Sequence, residues 1–150
     1  MNGDLVMNFA EIKKMVKSDM NFDETELDTE SLKTPQIHNK YLVLYTDEKL
    51  LLTKLESELK ELIRYKWLYY TGKMSENELE QFGWEPFQLS ILKTDIDKFV
   101  SSDKEIIELE NKIAFQKEKT NYLESVIKIV SSRQWMIKSA IEWIKFTQGV

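Results

Sequence analysis

Between positions 64 and 73 the chain reads Arg64-Tyr65-Lys66-Trp67-Leu68-Tyr69-Tyr70-Thr71-Gly72-Lys73, three cations and four aromatic rings in ten residues with a glycine near the end. Ring faces accept stacked bases at roughly 1–3 kcal/mol each, while interleaved Lys and Arg hold phosphates. Duplex bases are already stacked on one another, so this pairing is chemistry for single-stranded nucleic acid. On a helix Lys66, Tyr69, Tyr70 and Lys73 group by i+3, i+4 and i+7 spacing, and Lys60 and Arg64 occupy the neighbouring strip. The same residues also suit the end of an amphipathic helix, with rings in the core and cations near the C-terminal dipole. Residue types alone leave both readings open. A second basic-aromatic set, Lys128, Arg133, Trp135, Lys138, Trp143 and Lys145, lies in the tail, where Arg133 and Lys138 are candidate secondary DNA contacts.

Enzyme chemistry finds little support. The four glycines stand at 3, 72, 83 and 149, too far apart for a phosphate-cradling loop. His38 is the only histidine, and there is no cysteine to supply a thiolate ligand or nucleophile. The expectation is a protein with no reaction, metal or cofactor of its own. The apolar runs fall well short of the ~20 residues a membrane span needs, so no membrane partner is expected. Net charge is −5, yet the window 60–73 sets four cations against Glu61 and is locally basic. An acidic total therefore leaves a nucleic-acid partner open, while arguing against a protein that coats duplex through bulk charge.

The elements that must position these residues are helices. Two Pro and four Gly in 150 residues, against abundant Lys, Glu, Leu and Ile, is an all-α composition. Phe9, Ile12 and Val16 mark a helix over about 7–18. Asp19 to Glu30, with six acids in twelve residues, reads as a solvated linker that folding could spare. Thr34-Pro35 looks like an N-cap followed by a first-turn proline. It opens a long helix to Tyr70, stopped at Gly72. Ser75 and Glu78 form a capping box for a short helix closed by Gly83. A second box, Ser102 to Glu105, precedes a seam at 106, 109, 113, 116, 120, 123, 127, 130, 134, 137, 141 and 144. All but Gln116, Thr120 and Gln134 on that seam are Ile, Leu or Val. Gln116 and Thr120 either fix register within a coiled coil or face solvent where the buried face rotates. Ser131-Ser132 marks a candidate bend. Such long apolar stripes need a partner of similar length: the other long helix, further subunits, or both. Leu123, Ile127, Val130, Ile137, Ile141 and Ile144 are the expected oligomerisation residues.

The run Arg64-x-Lys66-x-x-Tyr69-Tyr70-Thr71-Gly72-Lys73 resembles the basic/Tyr-Tyr-Ser-Gly segment of the UvsY family, recombination mediators of T4-like bacteriophages. Lys40-Tyr41, Asp47-Glu48-Lys49, Gly83-Trp84-Glu85-Pro86-Phe87 and Leu92-Lys93-Thr94-Asp95-Ile96-Asp97 agree in order and spacing. So does the tail Arg133-x-Trp135-x-Ile137-Lys138-x-Ala140-Ile141-x-Trp143-x-x-Phe146-x-x-Gly149. The likeness covers residues 34–150, and 1–33 match nothing. The residues themselves give an N-terminal helix and acidic linker over 1–33, and the likeness implies a helical domain over 34–150. Within that domain it implies a single-stranded-DNA segment at 60–73, with Arg64 and Lys66 at the family's basic positions, and an oligomerisation helix at 103–147. It further implies a homo-oligomer, a hexamer or heptamer ring, working in the cytoplasm of an infected bacterial host. Its partners would be single-stranded DNA, the phage single-strand binding protein and a RecA-like recombinase that it helps to load. The rival expectation is a structural coiled-coil component of a virion or its assembly, without nucleic-acid affinity.

Overall fold

The computed structural model describes residues 7–150. Among them the elements are helices: α1 (Phe9–Met20), α2 (Leu27–Tyr70), α3 (Glu76–Phe82), a 3₁₀ turn (Lys93–Asp95), α4 (Ile96–Ser101) and α5 (Lys104–Gln148). The chain divides into two compact units. One takes in the sequence up to Lys49 together with Glu118–Val150, and the other is Leu50–Lys117.

In the first unit α1 starts from a capping box. The Asn8 side chain accepts from the Ala10 N–H, and Glu11 reaches back to the Asn8 N–H. The apolar stripe of α1 is buried. Ile12 and Val16 form one cluster with Tyr41 of α2 and Leu123, Val126 and Val130 of α5. Asp19 accepts from Lys40 Nζ and from the Tyr41 hydroxyl, both at 2.7 Å. Burial alone would raise the Asp19 carboxyl, but these two donors outweigh it and hold it below its ordinary value. The α1 segment is therefore core.

The expected acidic linker is shorter than its composition suggests. Asp23 closes a turn by accepting from the Thr25 N–H at 2.8 Å, and α2 already begins at Leu27, itself buried. Pro35 sits inside the helix, where a proline removes one ladder bond and costs about 3 kcal/mol or more. What holds the turn before it is Arg133 of α5, which donates to the Glu30 carbonyl (2.6 Å), the Glu30 carboxylate (2.5 Å) and Thr34 Oγ1 (2.8 Å). Thr34 is an acceptor for that guanidinium rather than an N-cap. A second buried pair, Lys119–Glu48 at 2.9 Å, ties the same two helices.

In the second unit Leu52 and Leu55 of α2 pack on Ile113 of α5, with Leu59 and Leu109 beside them. Ile96, Val100 and Ile106 form another cluster against Leu59, Leu62 and Tyr70. In each unit rising numbers on α2 meet falling numbers on α5, so the helices run antiparallel. The long partner that α2 needs is α5 of the same chain. Leu123, Val130 and Ile137 are consequently spent inside the chain, and Ile127 packs against the same core. Of the expected oligomerisation seam, Leu123, Val130 and Ile137 thus have no surface left to offer another subunit. Gln116 and Thr120 are buried too. Ser131 and Ser132 donate back to the carbonyls of Ile127 and Ile129 within an unbroken α5.

Candidate nucleic-acid interface

α2 ends in a Schellman turn. Gly72, at φ +70°, lets its N–H reach the Tyr69 carbonyl while the Lys73 N–H reaches that of Leu68. The turn sends Lys73 back along the helix, so that its Nζ lies 4.7 Å from the centre of the Trp67 ring. Trp67 is 39% exposed, and Lys60, Arg64 and Lys73 are exposed. Lys60, Arg64 and Trp67, at i, i+4 and i+7, share one stripe. The Arg64 guanidinium lies 4.9 Å from the Tyr65 ring, whose other neighbour is Phe82.

Lys66 points the other way. Only 4% exposed, it pairs with Asp103 (3.1 Å) and Glu105 (3.3 Å) and lies 3.9 Å from the centre of the Trp84 ring. Trp84 Nε1 donates to the same Glu105 oxygen at 2.9 Å. The Tyr70 hydroxyl donates to Asp103 Oδ2 at 2.7 Å. Asp103 Oδ1 meanwhile caps α5 by accepting from the Glu105 N–H at 2.9 Å. The N-cap of α5 is thus Asp103, whereas Ser102 ends α4. Burial pushes the Asp103 carboxyl up, but hydrogen bonds from Tyr70, Lys66 and the Ile106 N–H more than offset it, and the group stays below the usual carboxylate range. Burial and the same carboxylate push the Tyr70 phenol up.

Tyr69 and Tyr70 are likewise committed within the unit. Tyr69 touches the rings of Tyr70, Trp84 and Phe87, and its hydroxyl donates to the Glu85 carbonyl at 2.8 Å. Tyr70 packs on Phe87 and Phe99. The expected grouping of Lys66, Tyr69, Tyr70 and Lys73 on one open side is therefore corrected. The structure brings together Lys60, Arg64, Trp67 and Lys73 instead, because the segment from Phe82 to Phe99 covers the opposite side of the helix end. Sequence reasoning missed Trp84, Asp103 and Glu105 as partners of Lys66. No fixed spacing links these positions.

In the tail, Arg133 is 2% exposed and held to α2 through both terminal nitrogens, its buried Nε alone lacking a partner, so it is no surface contact. Lys138 is exposed, with its Nζ 5.5 Å from the Trp135 ring. Both line a groove that includes Ile137, Ile141, Glu142 and Lys145. Trp135, Trp143 and Phe146 are 65–78% exposed.

A family model described as "Recombination, repair and ssDNA binding protein UvsY" matches residues 15–150. The match thus reaches into α1, well before residue 34. The chain is 20% identical over 143 residues to "Recombination protein uvsY" of Enterobacteria phage T4, covering 95% of this chain and 99% of that protein. Two crystal structures of the bacteriophage T4 recombination mediator protein UvsY are similar in fold. The lattice type IV structure has a TM-score of 0.80 at 17% identity, covering 93% of this chain and 99% of that one. The lattice type II structure has 0.79 at 18%, covering 95% and 98%. At those identities the likeness speaks for the fold.

Proposed function

The chain belongs to the UvsY family of recombination, repair and single-stranded-DNA-binding proteins, and from that premise we propose how this recombination mediator engages its strand. Single-stranded DNA lies along the outward face of the α2 end, with Lys60, Arg64 and Lys73 on phosphates and a base on Trp67. The observation that carries this reading is the Lys73–Trp67 pair, a cation held beside a half-open indole at a turn. No base-edge readers accompany it, so sequence preference is weak.

Mediation in this reading is differential binding rather than catalysis. The protein favours the strand conformation that a RecA-like recombinase accepts, against the one held by the phage single-strand binding protein. Three cations make a weak site, and a homo-oligomer, a hexamer or heptamer ring, repeats it along one strand to give avidity. The exposed stripe Ile129, Met136 and Trp143, seven residues apart, with Trp135 and Phe146 beside it, supports self-association. Ile141 and Ile144, half-buried, flank the core side. The setting is the cytoplasm of an infected bacterium. No helix among the described residues is long and apolar enough to cross a membrane.

Fluorescence anisotropy with a labelled oligo-dT and its duplex counterpart tests the reading. Single strand should bind better, with affinity falling steeply as salt rises. Equal binding of both would overturn the preference for single strand, and absent binding of both would leave the rival reading, a structural coiled coil without nucleic-acid affinity.

A further inference from the structure

Arg64 and Lys66 are two residues apart and chemically alike, yet one is open to solvent and the other is sealed among Asp103, Glu105, Tyr70 and Trp84. We propose that Lys66 is a positioning residue and not a DNA contact. It fastens the last turns of α2 to the Trp84 segment and to the first turn of α5, and so keeps Lys60, Arg64, Trp67 and Lys73 on the outer side. The inference rests on the single-stranded-DNA reading above.

Three observations carry it. A phosphate bonded to the Lys66 ammonium would have to displace two carboxylates, one of them a buried helix cap. The indole of Trp84, hydrogen-bonded to Glu105, stands over the ammonium and blocks approach from that side. Three segments also meet at this one amine: the α2 end, with Tyr70 joined through Asp103, the Trp84 segment directly, and the start of α5 through both carboxylates. Withdrawing the charge leaves Asp103 and Glu105 facing each other without a counter-charge and frees the helix end that presents the outer stripe. Affinity should then fall through lost geometry, with no change in the number of cations released from the strand.

Two measurements on the full-length protein test this. The first is lysine labelling of the unmodified chain with an amine-reactive ester, with and without oligo-dT, read by mass spectrometry. Lys66 should be unreactive in both states, while Lys60 and Lys73 react in the free protein and are protected by the oligonucleotide. Labelling of Lys66 that the oligonucleotide suppresses would overturn the proposal. The second is the salt dependence of oligo-dT binding by Lys66→Met beside Arg64→Ala. Lys66→Met should bind several-fold more weakly at every salt concentration with the slope of the unmodified protein. Arg64→Ala should have a slope shallower by about 0.7 per site. A shallower slope for folded Lys66→Met, or unchanged affinity together with unchanged slope, refutes the positioning role. Should Lys66→Met fail to fold, the labelling result decides alone. If the unmodified protein binds no oligo-dT, the DNA reading itself has failed, an outcome distinct from all of these.

Discussion

Two stretches of this chain are built from the same residue types, the α2 end at 64–73 and the α5 tail at 133–146, and they resolve in opposite ways. Each buries one cation in an ion pair with the other long helix, Lys66 with Asp103 and Arg133 with Glu30. Their rings differ. At the α2 end Tyr65, Tyr69 and Tyr70 turn inward because Phe82, Trp84, Phe87 and Phe99 are there to meet them. In the tail Trp135, Trp143 and Phe146 stay largely exposed. A basic-aromatic run is therefore not a surface by virtue of its composition. What decides is whether another segment of the chain returns to cover it. Exposed cations with one open ring suit a strand, and exposed rings with few cations suit another protein surface.

The largest effect that could break this contrast lies in the core beneath the tail. Leu123→Ala should cost about 2–5 kcal/mol in urea unfolding, and Arg133→Met, which takes from Glu30 its buried partner and leaves only Lys33, should lower Tm far more than Lys138→Met. Similar losses for Arg133→Met and Lys138→Met would mean that Arg133 is not the internal anchor described. Next comes assembly. Trp143→Ser with Phe146→Ser should lower the mass seen by light scattering while helicity is kept. An unchanged mass would remove these rings from the self-association surface.

DNA binding gives the third comparison. Trp67→Ala should lose about 1–3 kcal/mol of oligo-dT affinity with the salt slope intact, whereas Trp135→Ala should leave affinity as it was. A reversed ranking would move the stacking site to the tail. The smallest effect is in pH. Asp19 and Asp103 titrate low in the folded state, so their stabilisation is present above about pH 3.9 and is lost as pH falls through their depressed folded values. The Tyr41 and Tyr70 phenols are raised, so theirs is present below about pH 10 and lost as pH rises beyond it. Tm should be flat between these limits, and Asp103→Asn should flatten the acid arm.

Local signals read well in this sequence because they act over three or four residues. Ser75 with Glu78 and Gly83 delimit α3 as expected, and Phe9, Ile12 and Val16 mark α1. Thr34-Pro35 misleads, since a distant guanidinium stabilises a turn that proline alone would end. The α5 seam is half legible. Ile106, Ile113, Leu123, Val130 and Ile137 are buried as the heptad predicts, but Arg133 replaces Gln134 at the interface because a 3.6-residue helix drifts against a strict seven-residue repeat. At the end of α2, a helical wheel of 60–73 cannot reveal that residues 82–105 come back over one side of it. One periodic clue was available: Glu30, Glu48 and Lys66 are 18 residues apart, five helical turns, and each finds an opposite charge on α5.

The division of the chain also sets an order of events during synthesis and folding. Leu50–Lys117 is continuous, so every partner it needs has been made once residue 117 is available. The other unit joins the two ends of the sequence, and its Glu30–Arg133 contact spans 103 residues. Loop closure disfavours such distant pairings early. We therefore expect amides of the inner segment to gain protection first in pulse-labelled hydrogen exchange. α1 and the second half of α5 should follow together, as one late step that also completes the tail surface available for assembly. Simultaneous protection of both units would show that the chain folds without this hierarchy.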